Sequence, residues 1–278
     1  MTAVSVEALL SDPCPHVGVT ITGLGIGASV VSVWRTADGE RSPVRGARRL
    51  PMSDASYVVD FDAPLGRPVS YEVEVVSGPS GPSRVTSSSV TVDSVTGWLM
   101  DPLIPQTAVQ VSRRMVPGGE IVFSASAMAK LDYVADSQVF KILGSDKPMA
   151  LFGQRMAAAG VDFSLITNAA EQNTRLAALL KSTAQLLVRV PASWTTAIPG
   201  TCFTAIGSVS EAPVEAAAGG VLSAWSLTGD TVAAPTIKVL TATFTYGDVA
   251  LLTSTYQQKQ DRMAGKTYLD DLKNPIGG

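Results

Sequence analysis

Charge is scarce in this chain. Of 278 residues, 16% are charged while 46% are hydrophobic. An ordinary globular sequence carries about a quarter of its residues as charges. Two readings are open at this point: a large core, or a surface partly covered by neighbouring subunits, since obligate interfaces resemble cut cores. The formal net charge is −3. Ten acidic and seven basic residues precede Trp98, and fourteen of each follow. Neither part carries the strong positive field that phosphate backbones favour, so nucleic acid is not an expected partner.

Cysteine and histidine are also sparse. The two cysteines, Cys14 and Cys202, lie far apart in the chain. A disulfide framework uses more cysteines at closer spacing, so two separate buried thiols are the expected reading. His16 is the single histidine, without the cluster of soft or imidazole ligands that a zinc site draws. No apolar run reaches the 18 residues of a spanning helix, and no basic start precedes an apolar stretch. Membrane insertion is therefore not expected, and synthesis in a cytosol is.

Short alternating runs are what the first part contains. Val17, Val19 and Ile21 share one face, and Val31 with Val33 continues the pattern. Tyr57, Val59 and Phe61 follow, then Tyr71, Val73 and Val75, then Val90 and Val92. Period-two segments between turn residues predict a small β-sandwich. Asp38-Gly39 fits a hairpin turn that needs positive φ. Ala63 to Gly66 marks another reversal. Pro79 and Pro82 lack donors, so Ser77 to Ser83 reads as an exposed connection.

Gly97 to Pro105 combines breakers with Trp98, Leu99 and Leu103, and reads as a pinned linker, with first-strand packing as the alternative. Strands are expected at Gln138–Leu143, Asp162–Ile166, Leu186–Val190, Cys202–Ile206, Ala224–Leu227 and Lys238–Tyr246. Glu215 to Gly220 reads as a loop. One main helix is expected over 168–181, capped by Asn168 with Glu171 as its capping-box partner. Leu176, Leu179 and Leu180 supply its buried stripe, and Glu171 and Arg175 are spaced to pair on the exposed side. The fold class is mainly β: an N-terminal sandwich over 1–96, then a β-barrel or sandwich with one main helix over 97–278, ending in a C-terminal tail.

Each feature that might carry chemistry has a plainer reading. Thr22 to Gly27 lacks the G-x-G-x-x-G spacing and sits between strands, so it reads as a turn. Gly78 to Gly81 is not followed by Gly-Lys-Ser/Thr. Cys14 and His16 would share a strand face, but a nucleophilic pair also needs thiolate stabilisation and a cleft. Asp60/Asp62 and Glu72/Glu74 read as hydrated strand faces, opposite Val59/Phe61 and Val73/Val75. Asp270-Asp271 is of the same kind. Arg45, Arg48-Arg49 and Arg113-Arg114 are the strongest basic features, either solvated or meeting acidic partners. Trp34, Trp98, Trp194 and Trp225 are too dispersed for a binding groove and read as packing residues. The expectation is a non-enzymatic chain with no catalytic residue, cofactor or metal.

From Phe163-Ser164-Leu165-Ile166-Thr167 through the helix and Leu186–Val190, the order of pieces resembles the hub domain of long-tailed phage distal tail proteins and related minor tail proteins. Trp194, Phe203, Pro213-Val214, Ala224-Trp225-Ser226-Leu227 and Ala234-Pro235 continue it. Phe244 to Val249 and Tyr268 to Leu272 close it. The first part is similar to a fibronectin-III or immunoglobulin-like accessory module, through Val31–Arg35, Asp38-Gly39 and Tyr71–Val75. The resemblance implies a structural subunit of a virion tail, in a ring or connector near the tube end and tip. It implies assembly in the bacterial host cytoplasm, and a homo-oligomer, most simply a hexameric ring, touching tube and tip proteins. A carbohydrate- or receptor-binding module meeting a host-surface glycan is the alternative function.

Overall fold

The computed structural model describes residues 2–11, 13–114, 121–144, 146–155, 157–214, 222–236, 249, 253, 255–267 and 270–271. The expected strand Lys238–Tyr246, the loop Glu215–Gly220 and most of the C-terminal tail lie outside them. By internal packing the chain falls into two compact units. One holds Met1–Val95, Pro102–Ala108 and the described residues from Thr236 onward; the other holds Thr96–Asp101 and Val109–Pro235.

The first unit is built on two antiparallel sheets. One has the order β1 (Ala3–Leu9), β2 (His16–Thr22), β6 (Ser56–Asp60). The other runs β4 (Glu40–Pro43), β3 (Ala28–Ala37), β7 (Pro68–Ser77), β8 (Ser83–Thr86). Off this path, β5 (Leu50–Ser53) pairs with β3, and β9 (Val90–Thr91) with β7. Val17, Val19 and Ile21 are fully buried, as are Val31, Val33, Tyr71 and Val73. The alternation of β3 and β7 thus reads as expected from a sheet with one face on a core, while β2 is buried along both faces. Asp38 and Gly39 take φ of 51° and 80°, joining β3 to β4 in the left-handed turn that hairpin twist favours. Residues 78–82 connect β7 to β8, and the glycine stretch connects β2 to β3.

Strand β6 corrects one expectation. Its inward residues are Val58 and Asp60, while Tyr57 and Val59 are only half-buried. Pairing decides this. Val58 lies opposite Val19 and Asp60 opposite Val17, and directly paired residues share a face. Tyr57 instead pairs with Thr20 on the other face, and its ring reaches over Gly18, where an added Cβ would overlap its hydroxyl. Glycine at 18 makes room for that ring.

The second architecture is a barrel. Strands β10 (Gly97–Asp101), β11 (Ile104–Ser112), β12 (Ile121–Phe123), β16 (Leu165–Thr167), β17 (Gln185–Arg189), β18 (Thr201–Pro213) and β19 (Ser223–Val232) follow the ring β19-β16-β12-β11-β10-β17-β18. The pairing of β18 with β19 closes it. β15 (Val161–Asp162) joins β19 at the side. A separate ribbon, β13 (Ala135–Phe140) and β14 (Met149–Arg155), pairs only with itself among the described strands. Leu99, Val111, Ile121, Phe123, Leu165, Leu186, Val188 and Leu227 fill one core with Trp225.

Three further expectations are corrected here. Gly97 to Asp101 is a barrel strand, not a linker: Trp98, Leu99 and Met100 pair with Arg189, Val188 and Leu187, which satisfies their backbone groups. The expected strand 138–143 ends at Phe140. Asp162–Ile166 is two strands, because Asp162 Oδ1 accepts the Ser164 N–H at 2.8 Å and turns the chain between them.

Helix α1 spans Ala170–Ser182. Its N-cap is Ala169 with no side-chain hydrogen bond, so Asn168 and Glu171 form no capping box. Leu176 and Leu179 are buried, while Leu180 is half-buried against the core. The stripe is therefore centred one residue earlier than expected. Polar anchoring of the helix comes instead from Asn173, which donates to Ser223 Oγ at 3.1 Å and accepts from Trp225 Nε1 at 3.3 Å. Glu171 and Arg175 are exposed and unpaired with each other. A second short helix, α2, covers Tyr256–Arg262, begun by Thr255, whose hydroxyl accepts the Gln258 N–H.

Candidate functional site

The most unusual surface is the ribbon β13–β14. Val139 pairs with Ala150 and Phe140 with Met149, while Gln138 faces Leu151 and Ser137 faces Phe152. Cross-strand partners share a face, so Phe140, Met149 and Leu151 line one side and Val139, Ala150 and Phe152 the other. Both sides are apolar and both are open: Val139 is 63% exposed, Leu151 62% and Phe152 81%. Tyr133, Val134, Ile142 and Leu143 extend the exposed apolar surface at the base and tip. Soluble monomers rarely leave such a contiguous apolar area in water, and a lone two-stranded ribbon is marginally stable.

The ribbon is nevertheless shaped at its base. Arg155 Nη1 donates to the Tyr133 carbonyl at 2.8 Å, and the Ala159 N–H donates to the Asp132 carbonyl at 3.0 Å. The register shifts between Ala135 and Ser137. Opposite that bulge, a Cβ on Gly153 would lie 2.7 Å from the Asp136 carbonyl oxygen, so glycine permits the close approach.

A second open element lies on β18. β17 pairs with Thr201–Ala205, so residues 208–213 pair with β19 on one edge and with no described strand on the other. A groove of about 270 Å³ runs beside this edge. Leu180, Lys181 and Thr183 from the end of α1 line one side, and Ile206, Ser208 and Val209 the other.

Polar residues flagged in the sequence occupy structural positions. Asp60 and Asp62 do not form a hydrated face. Asp60 is buried and receives Arg35 Nη1 on both oxygens, at 2.9 and 3.1 Å, and the Tyr71 hydroxyl at 2.9 Å. Asp62 is buried too, held by Arg45 Nε at 2.8 Å and Nη2 at 2.6 Å. The Asp62 N–H donates to Asp60 Oδ1 at 2.9 Å, linking the two pairs. Burial lowers the proton affinity of Arg35, but the neighbouring Asp60 and Asp62 charges outweigh it and raise its pKa. The expectation failed because alternation assigns a face without knowing whether an arginine from another strand waits there. Arg35 and Tyr71 carried no signal of this role beyond their types.

Glu72 and Glu74 do lie on the outer face. Arg41 pairs with Glu72 at 2.6 Å, and Glu74 accepts from Arg84 at 2.6 Å and Trp34 Nε1 at 3.1 Å. Hydrogen bonds from Arg84 and then Trp34 hold the Glu74 carboxyl below its usual range. Arg41 covers the Trp34 ring at 3.8 Å. His16 Nδ1 lies 2.8 Å from the Cys14 carbonyl, not its thiol, and the imidazole packs against Phe61. Cys14 and Cys202 are buried and not joined by a disulfide, and burial pushes Cys202 up to about 12. Arg48, Arg49, Arg113 and Arg114 are exposed. Asp271 pairs with Lys259 at 3.0 Å. Trp225 is core, with Nε1 donating to Thr167 Oγ1 at 3.1 Å, and Trp194 packs edge-on to Phe123. Among the described residues, no three metal-ligating side chains come together.

Comparison with protein-family models, with curated proteins and with solved structures gives no match.

Proposed function

We propose that this chain is a structural subunit of a long-tailed phage tail, forming part of a ring or connector near the tube end and tip. The carrying observation is the ribbon β13–β14, apolar on both faces and open to solvent in the single chain. An element left largely open in its own chain is suited to burying its apolar side chains against another. The barrel supports the same reading. Its strands close on themselves, so it offers a rigid body from which a ribbon can reach a neighbour.

In this reading the chain works by being positioned, not by catalysis, and needs no cofactor or metal. Its partners are copies of itself, tube proteins and tip proteins, and its place is the virion tail after assembly in the bacterial host cytoplasm. A tube has rotational symmetry, so a heterologous contact repeated around the axis closes into a ring. Six copies follow from the tail-protein resemblance. A glycan-binding role would use free aromatic platforms: Trp34 on the outer sheet face is already covered by Arg41, and the exposed Tyr133, Phe140 and Phe152 belong to the ribbon that this reading gives to subunit contact.

Cryo-electron microscopy of intact particles tests the proposal. The expected result is this chain at the tail end, with its barrel unit in subunit interfaces. Finding it elsewhere in the particle, or finding the barrel unit clear of every interface, overturns the reading.

A further inference from the structure

The open edge of β18 and the open ribbon are complementary. A strand edge with no partner among the described strands, beside a part-apolar groove, has the geometry of strand addition: main-chain hydrogen bonds hold the incoming strand and alternate side chains enter the groove. On β18 the half-open Val209 lines the groove beside Ile206, which is itself buried in the core, and Leu180 lines the α1 side. A bulge between Ile206 and Ser208, and the missing donor of Pro213, confine the usable edge to Ser208–Ala212.

The ribbon supplies what such an edge accepts. β14 is seven residues long, with Leu151 on one face and Phe152 on the other. It ends on the exposed Arg155, and the β18 edge carries the exposed Glu211, so the charges are opposite. The nine large apolar side chains exposed between Tyr133 and Phe152 offer on the order of 1,000 Å², taking roughly 150–200 Å² for each when fully exposed. A stable interface needs about 800 Å² per partner. We infer that β14 of one copy adds to the Ser208–Ala212 edge of β18 in the next copy. Donor and acceptor are different surfaces of one chain, so the contact is heterologous and can propagate around a ring. The inference rests on the ring-subunit reading and names the surfaces that make the ring.

A mixing experiment with the full chain tests it. Leu151→Asp with Phe152→Asp removes the donor. Val209→Asp removes the acceptor, with Ser208→Lys as a second acceptor variant and circular dichroism to confirm folding. By sedimentation velocity, wild-type mass should rise with concentration, while each variant alone stays monomeric. A mixture of donor and acceptor variants keeps one intact pair of edges, and should give dimers and nothing larger. Hydrogen exchange in the wild type should slow together at 149–155 and 208–212 as concentration rises. Wild-type assembly that neither variant alters overturns the pairing and leaves the ring reading standing. Loss of assembly in the donor variant alone overturns the acceptor assignment. A wild type that stays monomeric, without slowed exchange at either segment, overturns the pairing outright. Assembly through these edges by a protein located outside the tail would uphold the pairing and sink the tail reading.

Discussion

Arg35 holds Asp60 through one nitrogen, with Nη1 2.9 Å from Oδ2 and 3.1 Å from Oδ1. The Asp60 side chain is 1% exposed and that of Arg35 15%. Removing Asp60 takes the bonded carboxylate from a largely buried guanidinium and leaves it only Ser42 and the more distant Asp62 charge. Asp60→Ala should therefore cost about 3–5 kcal/mol. Replacing both with apolar residues of similar volume should recover much of that loss. Urea denaturation of the single and double variants measures the coupling; an Asp60→Ala cost near zero would contradict a buried, mutually dependent pair.

Leu176 and Leu180 should separate in the same assay. Leu176 is fully buried in the barrel core, while Leu180 is half-buried at its margin beside the groove. Leu176→Ala should cost about 2–5 kcal/mol. Leu180→Ala should cost clearly less, because its site is already partly open to water. Equal costs would place the helix in a different rotation.

Cys202 should make stability fall in alkali. Its thiol titrates near 9.0 when exposed and at about 12 when folded, because burial disfavours the thiolate. The raised folded value contributes stability that is complete below pH 9 and lost as pH rises towards 12, since only the unfolded chain releases the proton. The slope approaches about −1.4 kcal/mol per pH unit inside that window. Comparing Cys202→Ala with wild type between about pH 8 and pH 10 isolates this contribution, because the tyrosines that begin to ionise near pH 10 do so in both chains. Identical slopes would count against it. The folded thiol should also resist alkylation at neutral pH.

The ribbon variant Leu151→Asp with Phe152→Asp should leave the melting behaviour of the chain within about 0.5 kcal/mol, because both side chains stand in solvent. Binding of an environment-sensitive apolar dye should drop. A large loss of stability would show instead that the ribbon packs against its own chain.

Some of this was legible from residue order. Asp38-Gly39 announced its turn, because few residues accept positive φ at two successive positions. Val31, Val33, Val73 and Val75 announced their face, because alternation against polar neighbours has one simple solution. The apolar ribbon was half legible. Val139 and Phe140 signalled a strand, but Met149–Arg155, with Gly153 inside it, did not, and exposure cannot be read from hydrophobicity at all. The open edge of β18 carried no local signal, because an edge is defined by where the neighbouring strand stops.

The sequence by itself determined the mainly β class, the turns and the presence of one main helix, since these depend on periodicity and backbone preference within a few residues. Tertiary structure alone decided that Val58 and Asp60 turn inward, that Gly97–Asp101 is a barrel strand, and that Asn173 instead of Asn168 anchors the helix. Each of these depends on a partner distant in the chain: Val17 and Val19 opposite β6, Arg189 opposite Trp98, Ser223 and Trp225 beside Asn173. Local pattern fixes what a segment prefers, and pairing across long sequence separations fixes which of two faces, edges or caps it uses.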